Sequence, residues 1–209
     1  MEIIIDKIKY ELRTEENGAY VVENHYSGEV RIPAHILVDG QSIPVIGIEE
    51  DAFYGCDDVK SITLPQGLRR IHHSAFESMS ELREIVIPES VTYIGENAFS
   101  DCDHLLQITL PSHLQHLSAN LFESCGALEQ IHLPKGVKTI GEGCFAACTK
   151  LRTIVLPEGL EQIASRAFAF CESLVDIHIP STVQEIGEEA FYSCLSLQRI
   201  ALPEGLKYV

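Results

Sequence analysis

Cysteine is the most reactive residue type in this sequence, and its spacing is regular. Of the seven cysteines, six fall at positions that differ by multiples of 23: Cys56, Cys102, Cys125, Cys148, Cys171 and Cys194. Thiols stacked about 4.8 Å apart could bind a metal, relay electrons or form disulfides. In a parallel stack, however, equivalent side chains all point into the core, and Met79 fills the one gap in the column. We therefore interpret the cysteine column as core packing.

The remaining potential ligands give no clearer site. Cys144 forms a CxxxC spacing with Cys148, which by itself is a weak metal signal. His132 and His178 share a column with Val155 between them, so they are about 9.6 Å apart. One ion holds each nitrogen ligand at about 2 Å, so these two imidazoles cannot share it. No carboxylate column recurs beside them, and no catalytic or nucleotide-binding motif has a suitable context. The sequence predicts no catalytic residue, cofactor or metal.

These residues belong to a repeat of 23 positions. Phenylalanine recurs at Phe53, Phe76, Phe99, Phe122, Phe145, Phe168 and Phe191, and proline at Pro65, Pro88, Pro111, Pro134, Pro157, Pro180 and Pro203. Several markers that keep one period over seven copies predict a solenoid, in which each unit buries its apolar face against its neighbours. Equivalent phenylalanines should then form one buried column with offset ring contacts.

The repeat unit predicts the elements that position these columns. The segment LxxIxLP alternates as a strand does, and the proline ends that strand. A second short extended piece follows, such as residues 91–94. Ala98, Phe99 and Cys102 then fall at i, i+1 and i+4, which predicts one turn of α-helix or 3-10 helix.

Residues 1–44 precede the regular repeats, and we interpret them as an N-terminal β cap with a degenerate repeat. The segments IIIDKIKYEL and AYVVENHY predict two strands joined by a turn that contains Gly18. Asp39-Gly40 between apolar runs predicts a short hairpin. Residues 45–209 then hold seven repeats, the last incomplete, which indicates either a longer array or an edge that something else covers.

The charge restricts the classes of partner. The net charge of −16 argues against nucleic acid and against an anionic membrane, since both require clustered Lys and Arg. No apolar run reaches 18 residues, so we expect no membrane span, and no signal peptide is recognisable. Many acidic residues, such as Glu96 and Glu142, stand just before the predicted helical turn, where they would complement the positive end of its dipole.

The unit LxxIxLPxxLxxIGxxAFxxCxx resembles the BspA-like, treponemal type of bacterial leucine-rich repeat, over residues 45–209. The segment KIKYEL…GEVRIP…DGQSIPVIGIEEDAF resembles the usual N-terminal segment of that family. The resemblance implies a curved right-handed solenoid with a parallel sheet on its concave face. It also implies a secreted or surface protein of a host-associated bacterium, with a host matrix protein or another cell as partner. The family supplies no catalytic residues.

The outward side of the predicted sheet varies in residue type while the buried columns are nearly constant. This contrast predicts a protein-binding face, which is the use that solenoids make of their concave surfaces. The candidate residues are Glu84, Gln107, Gln130, His132, Thr153, Asp176, His178 and Arg199.

Three functions follow as hypotheses. The first is a non-catalytic protein-binding module at the cell surface or outside the cell, with adhesion as its role and a cytoplasmic location as the alternative. The second is a structural spacer within a larger surface protein, in which the varied face is merely exposed. The third is a hydrolase or glycan-processing enzyme, for which the sequence offers no nucleophile paired with a base.

Overall fold

The computed structural model describes residues 1–208 and forms a solenoid whose coils repeat every 23 residues. The predicted solenoid is therefore confirmed. Each coil contributes three segments that contact the same segments of the next coil. We call these stacks the first ladder, formed by the LxxIxLP segments, the second ladder, formed by the short strands before each Ala-Phe pair, and the turn ladder, formed by the residues around that pair.

The strands are short because a proline or a turn ends each one within its coil. The N-terminal region contains β1 (Glu2–Ile5), β2 (Ile8–Arg13), β3 (Gly18–Val21), β4 (Gly28–Arg31), β5 (His35–Val38) and β6 (Gln41–Ile48). The later coils contain β7 (Val59–Thr63), β8 (Arg70–Ile71), β9 (Glu84–Val86), β10 (Tyr93–Ile94), β11 (Gln107–Thr109), β12 (His116–Leu117), β13 (Gln130–His132), β14 (Thr139–Ile140), β15 (Thr153–Val155), β16 (Gln162–Ile163) and β17 (Glu185–Ile186). Within residues 1–208 the only helix is a 3-10 helix at Thr14–Glu16.

The first ladder is a parallel sheet whose register advances by one repeat per strand. Gln107 pairs with Glu84, and Gln130 pairs with Thr153. The isoleucine in the middle of β11 or β13 is buried while its two neighbours are exposed, as the alternation of a strand requires. Over the described residues the pairing is interrupted twice, between β7 and β9 and between β11 and β13.

The second ladder is also parallel and continues from the N-terminal sheet. β6, β8 and β10 form one run, while β12, β14, β16 and β17 form another. The register is the same in both runs, since Tyr93 pairs with Arg70 and His116 with Thr139. β10 and β12 do not pair. The two missing pairings flank Phe99 and Phe122, since β10 and β12 precede these residues while β11 and β13 follow them.

The turn ladder differs from the expected turn of helix. Asn97 and Asp101 both have a φ of 55°, in the left-handed region, so the chain forms separate tight turns. This backbone directs the N–H of Phe99 to the carbonyl of Leu121, and that of Asp101 to the carbonyl of Glu123, both in the next coil. The periodicity i, i+1, i+4 suits such turns as well as a helix. No helix begins here, so the helix dipole does not account for the acidic residues that precede the pair.

The phenylalanines form one continuous buried column, as predicted. Phe53 to Phe168 are fully buried, and successive rings stack at centroid distances of 5.2 to 5.9 Å with interplanar angles of 2° to 20°. The leucines, isoleucines and cysteines of each coil surround this column. Because each ring contacts the rings of both neighbouring coils, no coil has a core of its own.

The N-terminal region contains one more strand than expected before Gly18. Asp6 and Lys7, with φ of 48° and 68°, turn the segment IIIDKIKYEL back on itself, so that β1 and β2 form a hairpin and β3 joins them. Gly18 begins β3, and Asn17 supplies the left-handed turn residue. The predicted hairpin at Asp39-Gly40 is confirmed, since β5 and β6 pair across it.

Candidate binding face

The exposed side of the first ladder carries all the predicted site residues, and we call it the display face. One of its columns contains Ser61, Glu84, Gln107, Gln130, Thr153, Asp176 and Arg199, and the other contains Thr63, Val86, Thr109, His132, Val155, His178 and Ala201. Every one of these side chains is exposed. They are held in position by the buried isoleucine between them, which fixes both neighbours on the outer side of the strand.

The ladder registers bring the predicted residues together in neighbouring pairs. Glu84 lies beside Gln107, and Gln130 beside Thr153. Thr153 also forms a bridge to Asp176. His132 and His178 are not neighbours, because His132 pairs with Val155. Gln107, Gln130 and Thr153 therefore form an uncharged centre, with Glu84 and Asp176 on either side.

A depression of about 630 Å³ lies at this uncharged centre. It occupies the place where β11 and β13 are unpaired, and Gln107, Gln130 and His132 line it together with Leu106 and Lys135. The lining contains no carboxylate, although the chain has 31 Asp and Glu residues. The depression thus offers amide, imidazole and apolar contacts within an acidic protein.

Sequence reasoning did not select Leu106 or Lys135 as site residues. Leu106 is 52% exposed and lies in a column where other coils carry Lys60, Arg83 and Glu129. Val175 is a second exposed apolar residue in this mostly charged column, so such departures are a signal that the sequence does contain. Its meaning depends on the depression beside it, which the sequence alone does not reveal.

The cysteine column is buried, as predicted, but it also makes hydrogen bonds. The Sγ of Cys102 donates to the carbonyl of Phe76 at 3.1 Å, and that of Cys125 donates to the carbonyl of Phe99 at 3.2 Å. Burial raises the pKa of Cys102 to about 12 and raises that of Cys125 strongly. These thiols therefore remain protonated at neutral pH, and the reactive thiolate is disfavoured.

Neither a metal cluster nor a membrane helix is found in the described part of the chain. Among residues 1–208, no group of three or more His, Cys, Asp and Glu side chains is placed to hold a metal ion. In the same range no helix has the length and apolarity to cross a membrane.

Comparison with known protein families identifies the type of repeat. The family model of the BspA type leucine rich repeat region matches residues 41–152 and 115–209. The chain belongs to this family. The BspA-type match agrees with the period of 23, the phenylalanine column and the two parallel ladders described above.

Solved structures agree with the BspA-type assignment. The leucine-rich repeat protein of T. pallidum superimposes with a TM-score of 0.84 at 32% sequence identity, over 94% of this chain and 91% of that protein. A leucine-rich repeat protein from Eubacterium ventriosum gives a TM-score of 0.80 at 22% identity, which shows likeness of fold. That superposition covers 99% of this chain but 52% of the other protein. No curated protein matches the chain.

The BspA-type fold suggests a protein-interaction module. Proteins of this repeat class are generally non-catalytic, and their coils present a long exposed sheet surface of the kind seen here on the display face.

Proposed function

We propose that the chain is a non-catalytic module that binds a protein partner through the display face. We further propose that it acts outside the cell or at the cell surface, in adhesion to a host protein or another cell. The family assignment and the solenoid support the binding role. The adhesive role and the location rest on the resemblance to BspA-like surface proteins.

The depression, whose lining contains no carboxylate, is the observation that carries this proposal. Two surfaces of like charge repel one another, and a chain of net charge −16 repels an acidic partner over most of its surface. At the depression the lining contains no carboxylate, and Lys135 supplies a positive charge at its edge. The partner that fits presents an apolar side chain to Leu106 and an acidic group to Lys135. It also presents hydrogen-bonding groups to the side-chain amides of Gln107 and Gln130.

A pair of charge insertions tests this face. Leu106→Glu with Gln130→Glu places two carboxylates in the depression, and we expect at least about a tenfold loss of affinity from desolvation and repulsion. Gln162→Glu with Gln184→Glu adds a similar charge on the second-ladder side, outside the display face, and serves as the matched control. Binding is measured by biolayer interferometry on a panel of immobilised extracellular matrix proteins.

Two outcomes would contradict the proposal. If both double variants lose affinity equally, the effect comes from net charge and not from the face. If a matrix protein binds the wild type and the Leu106 and Gln130 variant equally well, the partner uses another surface. A spacer role would give no specific binding in any arm.

A further inference from the structure

The second ladder is interrupted at one junction within residues 1–208, between β10 and β12. In the preceding coil the N–H groups of Thr92 and Gly95 donate to the carbonyls of Arg69 and Ile71. The equivalent N–H groups one coil later belong to Gln115 and Ser118, and neither donates to the backbone of the preceding coil. Two strand-edge donors are therefore left open on the surface at this junction.

Two departures from the repeat explain the opening. Ser118 occupies a column in which Gly95 and Gly141 lie against the backbone of the preceding coil, so closely that an added Cβ at Gly95 would be 2.5 Å from the nitrogen of His73. The Oγ of Ser118 instead donates to the carbonyl of Ile94, which replaces the bond from its own N–H. His72 occupies the same column with its ladder bond intact, so a side chain alone does not open the ladder.

Leu121 is the second departure. It is fully buried in the column that holds alanine at Ala98 and Ala167, and its larger side chain separates the coils. The rings of Phe99 and Phe122 are 5.9 Å apart, while the other ring pairs of the column are 5.2 to 5.4 Å apart. The junction is thus wider both at the core and at the surface.

A cleft of about 460 Å³ lies over this junction. Tyr93 is 49% exposed and forms one side of the cleft. His116 lies on the other side, with its Nδ1 engaged at 2.8 Å by the hydroxyl of Thr139, which leaves its Nε2 for another partner. Thr92, His113, Gln115 and Ser118 complete the polar lining, and no Lys, Arg, Asp or Glu contributes to it.

We propose that this cleft binds a neutral carbohydrate. The face of a sugar ring would lie on Tyr93, and its hydroxyls would bond to Gln115, to His116 and to the open N–H groups. An anionic ligand would lack a cationic partner and would face a chain of net charge −16. A cationic ligand would find no carboxylate in the lining. A purely apolar ligand would bury the open N–H groups without partners, which is unfavourable.

This site is separate from the display face, because it lies on the second ladder. The test uses the whole chain with maltotriose, cellotriose, chitotriose and mannotriose, measured by saturation-transfer NMR and isothermal titration calorimetry. We expect at least one trisaccharide to bind and to shift the amide resonances of Gln115 and Ser118. Tyr93→Ala should weaken that binding by about tenfold, the usual worth of one aromatic contact.

Ser118→Gly provides a second variant that keeps Tyr93. Glycine lets the two coils approach as they do at Gly95, so the ladder should close and binding should fall while the thermal unfolding temperature is kept or raised. Tyr54→Ala removes a tyrosine of similar exposure, 54%, from outside the cleft and should bind as the wild type does. The proposal is overturned if none of the four sugars binds, or if Tyr93→Ala and Ser118→Gly both retain wild-type affinity.

Discussion

The Sγ of Cys148 lies 3.1 Å from the carbonyl oxygen of Phe122, and the same bond joins Cys171 to Phe145 in the next coil. Each of these carbonyls already accepts the N–H of the cysteine three residues later in its own coil. The thiol is therefore a second, inter-coil donor to a backbone group in the core. Cysteine suits this position because it is small, apolar and still able to donate.

Substitutions at Cys148 separate packing from hydrogen bonding. Cys148→Ala removes both the sulfur and the donor, and we expect the free energy of unfolding to fall by about 1–2 kcal/mol. Cys148→Ser keeps a donor in a smaller side chain, so it should be at least as stable as the alanine variant. Urea unfolding measures both. A serine variant that is clearly less stable than alanine would show that the bond contributes nothing.

The buried thiols predict a loss of stability at alkaline pH. In the unfolded chain a thiol ionises near pH 8.5, whereas burial raises the pKa of Cys102 to about 12 and that of Cys194 to about 11. Between these values the folded chain binds more protons than the unfolded chain, so the free energy of unfolding falls as the pH rises. The buried thiols therefore contribute their full share of the free energy of unfolding below about pH 8.

Unfolding by urea at a series of pH values from 7 to 10 measures this effect. Cys102→Ala should reduce the slope above pH 8.5, since it removes one of the groups that titrate. Tyr26, whose pKa burial raises to about 12, adds a similar loss only above about pH 10. A wild-type stability that is flat from pH 7 to 10 would contradict the buried, protonated state of the thiols.

The open ladder junction predicts fast amide exchange at two positions. The N–H groups of Lys138 and Gly141 donate to the preceding coil, whereas those of Gln115 and Ser118 do not. We expect Gln115 and Ser118 to exchange with deuterium on the order of tenfold or more faster, because no local hydrogen bond protects them. NMR-detected exchange resolves these four amides. Equal protection would mean that the junction is closed in solution.

Much of this fold could be predicted from residue identity. The period of 23 residues predicted the column of rings from Phe53 to Phe191. Asp39-Gly40 predicted the hairpin between β5 and β6. The turn ladder could not be predicted in the same way. The N–H of Phe99 bonds to a carbonyl 22 residues later, and nothing in the local pattern distinguishes that partner from one within a helical turn.

The candidate site was predictable in outline only. Alternation along each strand places Gln107 and Gln130 on the exposed side, and the structure agrees. The depression between them depends on the separation of two coils. That separation is related to Leu121, which the sequence shows as a departure from an alanine column but whose effect on the spacing of the coils is seen only in the structure.

The far part of the display face can be tested by charge reversal. Asp176→Lys with Arg199→Glu keeps the net charge of the chain and inverts two exposed predicted site residues. If the partner contacts these coils, we expect a loss of about tenfold or more in affinity with little change in stability. The reversal Lys138→Glu with Glu161→Lys, an exposed ion pair at 3.3 Å on the other ladder, is the control. Unchanged affinity would confine the interface to the central depression.

The role of residues 1–44 as a cap remains a proposal, and Tyr26 offers its test. The ring of Tyr26 lies 4.5 Å from that of Phe53, so it covers the first phenylalanine of the column, and its hydroxyl donates to the carbonyl of Val22 at 2.6 Å. Tyr26→Ala should lower the free energy of unfolding by about 3 kcal/mol, because it leaves a cavity over Phe53.

Tyr26→Phe separates the ring from the hydroxyl and should cost only about 1 kcal/mol. Deleting residues 1–44 should expose the face of Phe53 that Tyr26 covers, and we expect the shortened chain to self-associate in light scattering. A cap acts at its end of the stack, so the deletion should raise amide exchange first in the coil of Phe53 and least near Phe168. Uniform loss of protection along the chain would mean that residues 1–44 hold the whole solenoid together and do not merely close its end.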